Sequence, residues 1–167
     1  LGLRCGTTNG RRATAQYLEK KRDAMTSRAK QPVNGFGFYF ETTTWARHAR
    51  AFFTALHRVR TVTMFPLDTS QRPARLGAEE AALLGASSAA IDAARTGIGV
   101  GPIECMTSVQ GSKRIAFVVW ETTLLPEEKC AVLREMDAIW TPSEWSRRVL
   151  IENGMESARV FVVPEGV

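Results

Sequence analysis

The chain has 167 residues, of which 44% are hydrophobic and 23% are charged, and its formal net charge is +5. This balance is typical of one globular domain with a sizeable core. No apolar run reaches the roughly 18 residues that a membrane-spanning helix needs, and the first twenty residues lack the apolar centre of a signal peptide.

The cysteines and histidines argue against metal and disulfide sites. The three cysteines are widely spaced and odd in number, and neither His48 nor His57 has neighbours of a metal-binding type. We therefore expect no metal and no resident cofactor. A reducing compartment is indicated, and we expect a cytoplasmic protein whose contact with the membrane surface is peripheral at most.

Basic residues are concentrated at the start of the chain. Residues 1–30 carry eight lysines and arginines against two acidic residues, whereas the remainder is nearly neutral. We interpret residues 1–30 as a basic N-terminal arm, a solvated extension that is disordered or not native to the domain. Such an arm can bind nucleic acid or anionic lipid, but its charges are not regularly interleaved with aromatic residues as in a protein that binds single strands, so we expect no specific nucleic-acid partner.

The first half of the folded part predicts a strand, a helix and a second strand. In Pro32–Phe40, glycines alternate with aromatic residues, which is typical of a strand with its small residues on one face. Thr44 stands in the N-cap position of a helix over Trp45–His57. Val59–Phe65 predicts the second strand, and the Ala-rich segment Gly77–Arg95 is helical by propensity.

Shorter elements alternate through the rest of the chain. The apolar run Ile115–Trp120 is typical of a strand that is buried on both faces. Pro126 and the acidic residues behind it predict the start of one helix, and Ser143 predicts the cap of another. The remaining strands are predicted within Ile98–Cys105 and over Asp137–Trp140 and Val160–Val163.

Strands separated by helices of about ten residues require right-handed crossover connections, which build a parallel sheet with helices on both faces. We therefore predict an α/β fold, a Rossmann-like three-layer domain over residues 31–167 with a mainly parallel sheet of about six strands. Ligands of such sheets lie beyond the carboxyl ends of the strands. The candidate substrate-binding residues at these ends are Glu41, Thr42, Thr43, Thr44, Trp120, Glu121, Thr122, Ser143, Glu144, Glu165 and Gly166.

Three motifs in this order resemble a known family. They are W-E-T-T-x-L-P-E-E from Trp120, D-x-I-W-x-P-S-E-W-S from Asp137 and V-x-V-V-P-E-G-V from Val160. Together they resemble the amino-terminal domain of a GT-B glycosyltransferase, within the large retaining family called family 4 or group 1. The resemblance is strong over Arg114–Val167 and moderate over Val33–Pro66.

The resemblance implies one half of a two-domain enzyme, in which the amino-terminal domain mainly holds the acceptor and the other domain holds most of the nucleotide-sugar donor. The partners would then be a sugar or glycolipid acceptor and a C-terminal donor-binding domain or partner chain. The nucleotide sugar would be a substrate and not a cofactor, and we expect the isolated chain to be inactive. The loop Glu41–Thr44 departs from the family, because threonines stand where relatives have glycines.

Structural roles compete with these assignments. The threonines can hold an anion or only cap a helix, Glu121 and Thr122 can brace their own loop, Trp120 can be a core residue, and Ser143 can be an N-cap alone. No residue is assigned a catalytic role. The alternative functions are a non-catalytic binding module, which would bind a partner or dimerise through the strand-end face, and a different Rossmann-like enzyme that binds a nucleotide.

Overall fold

The computed structural model describes residues 31–68, 75–84 and 90–165, and all of these except Gln31 belong to the compact unit Pro32–Val167. The strands are β1 (Val33–Gly37), β2 (Val62–Pro66), β3 (Thr96–Val100), β4 (Lys113–Phe117), β5 (Ala138–Thr141) and β6 (Val160–Val162). The helices are α1 (Thr44–His57), α2 (Ala78–Leu84), α3 (Glu127–Arg134) and α4 (Glu144–Glu152), with 3-10 turns at Ile103–Ser108 and Ser157–Arg159. None of the helices in these ranges has both the length and the apolar character needed to cross a bilayer.

The strands form one sheet in the order β2-β1-β3-β4-β5-β6, and every neighbouring pair is parallel. The predicted α/β fold, a Rossmann-like three-layer domain with about six mainly parallel strands, is confirmed. The chain moves outward from β1 to β2 and then returns to the other side of β1 for β3. In open parallel sheets such a reversal marks the edge at which ligands commonly bind, beyond the carboxyl ends of the strands.

Helices cover both faces of the sheet and enclose two apolar cores. On one face, α1 and α2 contribute Phe53 and Leu83, both buried. On the other face, the turn Ile103–Ser108 packs with α3, and α4 packs on β5 and β6, with Leu133 and Leu150 fully buried. Because each connection crosses over the sheet, the start of every following helix lies at the same edge as the end of the preceding strand.

Two glycines let α1 lie close to β1. A Cβ at Gly37 would be 2.8 Å from the carbonyl oxygen of Val100 and 3.0 Å from the Cβ of Ala49, and a Cβ at Gly35 would be 2.8 Å from a ring carbon of Phe53. Only glycine leaves this space free. The close approach fixes the beginning of α1 directly beyond the end of β1.

Several bounds differ from the predicted ones. β1 ends at Gly37 and not at Phe40, because the backbone N–H groups that follow bond to a side chain instead of to a neighbouring strand. Within Gly77–Arg95 the described helix is Ala78–Leu84 only, and residues 90–95 form a turn before β3. Residues 1–30 and Gly166 lie outside the described residues, so the predictions made for them remain predictions.

Candidate functional site

A pocket of about 580 Å³ opens at the edge of the sheet where the strands end. The start of α1, the segment after β4 and the segment after β6 each contribute to it. Five of the predicted site residues line this pocket, namely Thr44, Trp120, Glu121, Thr122 and Glu165. They are joined there by Trp45, His48 and Val119. Three separate strand ends are therefore brought together around one cavity.

Thr43 caps helix α1, whereas Thr44 lines the pocket. Thr43, and not Thr44, is the N-cap of α1, because its Oγ1 accepts a hydrogen bond from the N–H of Ala46 at 3.3 Å. The Thr43 hydroxyl also donates to the Glu41 carboxylate at 3.4 Å. Thr44 is consequently the first helical residue and borders the pocket, whereas Glu41, Thr42 and Thr43 lie outside its lining.

The loop after β1 holds a carboxylate of its own chain. Successive backbone N–H groups of Tyr39, Phe40 and Glu41 donate to the Asp68 carboxylate at 2.6, 2.7 and 2.7 Å. Asp68 is buried, with 7% of its surface exposed. Converging N–H groups of this kind form a concavity that binds anions. Asp68 already fills it, so these amides are not free to bind a phosphate.

The carbonyl groups of the same loop are held by Arg50. Its Nη1 donates to the carbonyl oxygens of Tyr39 at 2.7 Å and Glu41 at 3.0 Å, and its Nε lies 3.4 Å from the Glu80 carboxylate. The Tyr39 hydroxyl donates to the carbonyl oxygen of Glu80 at 3.0 Å. Sequence reasoning missed this network, although Arg50 gave a signal, since it stands on the buried side of α1 beside Ala49 and Phe53.

Trp120 borders the pocket and is fixed from two sides. The Nζ of Lys129 lies 4.9 Å from the centroid of its ring, so one face of the indole already has a cation–π partner. The carbonyl oxygen of Trp120 accepts a hydrogen bond from the hydroxyl of Ser146 at 3.3 Å. Its ring nitrogen is buried and has no hydrogen-bond partner among the described groups.

Ser143 and Glu144 lie at the same sheet edge but not in the lining of the pocket. Ser143 is the predicted N-cap, and its Oγ accepts from the N–H of Ser146 at 3.1 Å. Glu144 lies 3.9 Å from Arg147 and faces solvent. Because the Ser146 hydroxyl bonds in turn to the carbonyl oxygen of Trp120, the cap of α4 is linked to the backbone that carries a pocket residue.

The segment after β4 is braced through backbone hydrogen bonds. The Thr122 hydroxyl donates to the carbonyl oxygen of Leu124 at 3.0 Å. The Asn153 side chain, at the end of α4, donates to the carbonyl oxygen of Thr123 and accepts from the N–H of Leu125, both at 2.9 Å. Thr122 thus has a structural role as well as a place in the lining, and the Glu121 side chain is exposed beside it.

The sequence analysis missed His48 as a pocket residue. Its Nε2 lies 3.4 Å from the Glu165 carboxylate, and its ring meets Phe117 edge-on, with the centroids 4.9 Å apart. Burial lowers the pKa of His48, and the charge of Glu165 opposes that shift. The signal was its spacing, because a residue four positions after Thr44 lies on the same side of the helix.

The lining of the pocket is acidic. Glu121 and Glu165 are the charged carboxylates in its lining, His48 favours its neutral form, and no lysine or arginine is among the described lining residues. An anionic ligand would meet repulsion here. A neutral polyhydroxylated ligand would find hydroxyl, carboxylate and indole groups around it.

Within the described ranges, no group of three or more His, Cys, Asp or Glu side chains is arranged to hold a metal ion. Comparison of the chain with protein-family models, with curated proteins and with solved structures gave no match.

Proposed function

We propose that this chain forms the acceptor-binding wall of a nucleotide-sugar-dependent glycosyltransferase of the GT-B type. The observation that carries the proposal is the pocket itself. Residues of three different strand ends, Thr44, Glu121 and Glu165, meet around one cavity at the edge where open parallel sheets bind their ligands. The motifs that resemble the family supply two of these ends.

The chemistry of the lining suits a sugar. Carboxylate oxygens of Glu121 and Glu165 can accept hydrogen bonds from hydroxyl groups, and the Thr44 hydroxyl can donate or accept. The indoles of Trp45 and Trp120 offer apolar surface against which the C–H groups on the face of a sugar ring can pack. Such a mixture of a few polar groups with aromatic surface is typical of small-molecule sites.

The same features argue against a nucleotide diphosphate at this site. Its lining is acidic, and the loop amides at 39–41 that could have received a phosphate already bind Asp68. We therefore assign the donor to a second wall, supplied by a donor-binding domain or a partner chain. The nucleotide sugar is a substrate in this scheme, and no cofactor is required of the described residues.

Ligand-observed NMR on the purified chain tests the proposal. We expect simple methyl glycosides to give saturation-transfer signals, and UDP and GDP to give none. The variants Glu121→Gln and Glu165→Gln should each weaken glycoside binding about tenfold, since the amide oxygen of glutamine accepts a weaker hydrogen bond than a carboxylate does. Glu152→Gln, an exposed carboxylate on α4, is the matched control. Binding of nucleotides in preference to glycosides would contradict the assignment and favour a nucleotide-binding enzyme.

Turnover supplies a second test. In this scheme the purified 167-residue chain transfers no sugar, because the groups that hold the donor diphosphate lie on another domain or chain. The assay uses a panel of UDP- and GDP-sugars with alkyl glycoside acceptors and detects the product by mass spectrometry. Robust transfer by the isolated chain would contradict the proposal that the donor is bound by another domain or chain.

A non-catalytic interaction module is the second candidate. The register places Phe117, Trp140 and Phe161 in one row across β4, β5 and β6. Phe117 is buried, Trp140 is half-buried and Phe161 is 48% exposed. Phe161 therefore places an exposed aromatic side chain on the edge strand β6, which would suit a protein partner or a second copy of the chain. Concentration-dependent dimerisation that Phe161→Ser abolishes, without glycoside binding, would favour this candidate.

A further inference from the structure

The pocket at the strand ends carries negative charge that its own lining does not balance. Glu121 and Glu165 both line the cavity, and no lysine or arginine is among the described lining residues. Glu121 is exposed and has no hydrogen-bond or ion-pair partner within the part of the chain that the structure describes. The Glu165 carboxylate has a single contact of this kind there, with the Nε2 of His48 at 3.4 Å. Two like charges that share a cavity repel each other until a cation joins them.

His48 does not supply the balancing charge. Burial lowers the pKa of His48 below its ordinary value of 6.5, and the charge of Glu165 only opposes that shift. The imidazole is therefore mostly neutral at neutral pH. Its ring is held edge-on against Phe117, with the centroids 4.9 Å apart. The contact between His48 and Glu165 consequently leaves the charge of the carboxylate in place.

Lys129 and Arg47 lie near the pocket but outside its lining. The Nζ of Lys129 lies 4.9 Å from the centroid of the Trp120 ring, and the same ammonium pairs with the Glu104 carboxylate. Arg47 borders a second cavity, of about 550 Å³, on the neighbouring side of α1. Neither side chain forms an ion pair with Glu121 or Glu165 in the described structure. The balancing charge is therefore left to the solvent or to the ligand.

The aromatic part of the lining also favours a cation. Trp45 and Trp120 both border the cavity, and the face of an indole attracts a positively charged group. The Trp120 ring already binds the Lys129 ammonium in this way. The Thr44 hydroxyl adds an acceptor for an N–H group at the start of α1. Carboxylates, indoles and a hydroxyl around one cavity are the groups that bind a protonated amine.

We propose that the ligand of this pocket is an amino sugar, a sugar in which a protonated primary amine replaces one hydroxyl and balances the charges of Glu121 and Glu165. The inference rests on the proposed function and specifies the charge of the acceptor. An ammonium group has three N–H donors, and each hydrogen bond that it donates to a carboxylate is strengthened by opposite charge. A neutral hydroxyl can also donate to a carboxylate, but it leaves the repulsion between the two glutamates uncompensated.

NMR titration of the isotopically labelled chain at about pH 7 tests the inference, because glutamates are charged and amines are largely protonated there. Methyl glucosides with an amine at C2, C3 or C6 are compared with methyl glucoside and with their N-acetylated forms. We expect at least one amino glucoside to bind about tenfold more tightly than methyl glucoside. Acetylation should abolish this advantage, since the amide carries no charge. The shifts should concentrate at the amides of Thr44 and Glu121 and at the Trp45 indole.

Charge reversal at one wall of the pocket gives the sharpest variant. Glu121→Lys should invert the preference, so that the amino glucosides bind more weakly than methyl glucoside. Glu165→Gln should reduce the advantage of the amine about threefold, since one of the two charges is removed. Glu135→Lys is the matched control, because Glu135 lies beside Arg114 near the start of β4, at the opposite edge of the sheet. It should leave the ratio of the two affinities unchanged.

The outcomes separate the two proposals. Equal affinity for methyl glucoside and every amino glucoside would overturn the inference and leave the sugar pocket intact. An advantage of the amine that persists in both Glu121→Lys and Glu165→Gln would also overturn it, because the amine would then bind elsewhere. Butylammonium that binds as tightly as the best amino glucoside, with no binding of methyl glucoside, would support a cation site but contradict the proposed function.

Discussion

The Asp68 carboxylate lies 2.6 Å from the backbone nitrogen of Tyr39, and the two residues belong to loops after neighbouring strands. The loop after β1 is thereby anchored by a side chain from the end of β2. Its two following N–H groups bond to the same carboxylate, and Arg50 bonds to its carbonyls. This anchored loop leads into α1, whose first residue, Thr44, lines the pocket.

We expect Asp68→Ala to lower the free energy of unfolding by about 3 kcal/mol, because it leaves three partly or fully buried N–H groups without an acceptor. Urea unfolding monitored by circular dichroism measures the change. Glu152→Ala removes an exposed carboxylate and should shift the free energy by less than about 0.5 kcal/mol. A loss as small as that of the control would show that solvent or another group can replace the carboxylate.

We expect Gly37→Ala to destabilise the fold by about 2 kcal/mol, because the new Cβ would meet the Val100 carbonyl oxygen at 2.8 Å and Ala49 at 3.0 Å. The control is Gly77→Ala, where the nearest atom would be 3.8 Å away. Gly77 stands at the N-cap of α2, where alanine is poorer than glycine, so this control should lose only about 0.5 kcal/mol. The midpoints of thermal unfolding of the two variants test this difference. Equal midpoints would mean that α1 moves away from β1 at little cost.

Two adjacent threonines should respond differently to the same substitution. Thr43→Ala removes the N-cap of α1 and should lower the free energy of unfolding by about 1 kcal/mol. Thr44→Ala changes an exposed residue of the first turn and should leave stability within about 0.5 kcal/mol. Denaturant titration of the two variants in parallel decides the matter. A larger loss of stability for Thr44→Ala than for Thr43→Ala would identify Thr44 as the N-cap.

The folded domain should lose stability as the pH falls below about 6.5, the ordinary pKa of histidine. Burial lowers the pKa of His48 in the folded state, so the unfolded state binds the proton first. The contribution is fully present above pH 6.5 and declines between that value and the lower folded pKa.

His48→Gln should flatten this part of the plot of unfolding free energy against pH. Denaturant unfolding at a series of pH values between about 7.5 and 5, the range of histidine titration, would measure the change. Glu165→Gln should steepen it, because the carboxylate that favours protonated His48 is gone. A profile that neither substitution changes would assign the acid sensitivity to other groups.

The topology could be predicted because it depends on patterns that span whole segments. Apolar runs such as Ile115–Trp120 and caps such as Ser143 repeat along the chain, and crossover rules then leave few arrangements of the sheet. The placement of Thr44, Glu121 and Glu165 around one pocket follows from the same rule, since all three follow strands of a parallel sheet.

The details of the site depended on contacts that local pattern does not encode. The three amides that bind Asp68 are 27 to 29 positions away from it, and nothing in the spacing indicates the pairing. That distant carboxylate is also why β1 ends three residues before its predicted end. The N-cap was displaced by one residue because Thr43 and Thr44 are chemically identical, and only backbone conformation distinguishes them.

The all-parallel sheet also has a consequence for folding kinetics. Every strand pair described here is joined through a crossover and not through a hairpin, so no pair can form before a long segment has closed. Refolding should therefore take milliseconds or longer, and early intermediates should expose strand edges that other molecules can join. Recovery from denaturant should fall as protein concentration rises, and dilute refolding is the practical route to material for the binding experiments.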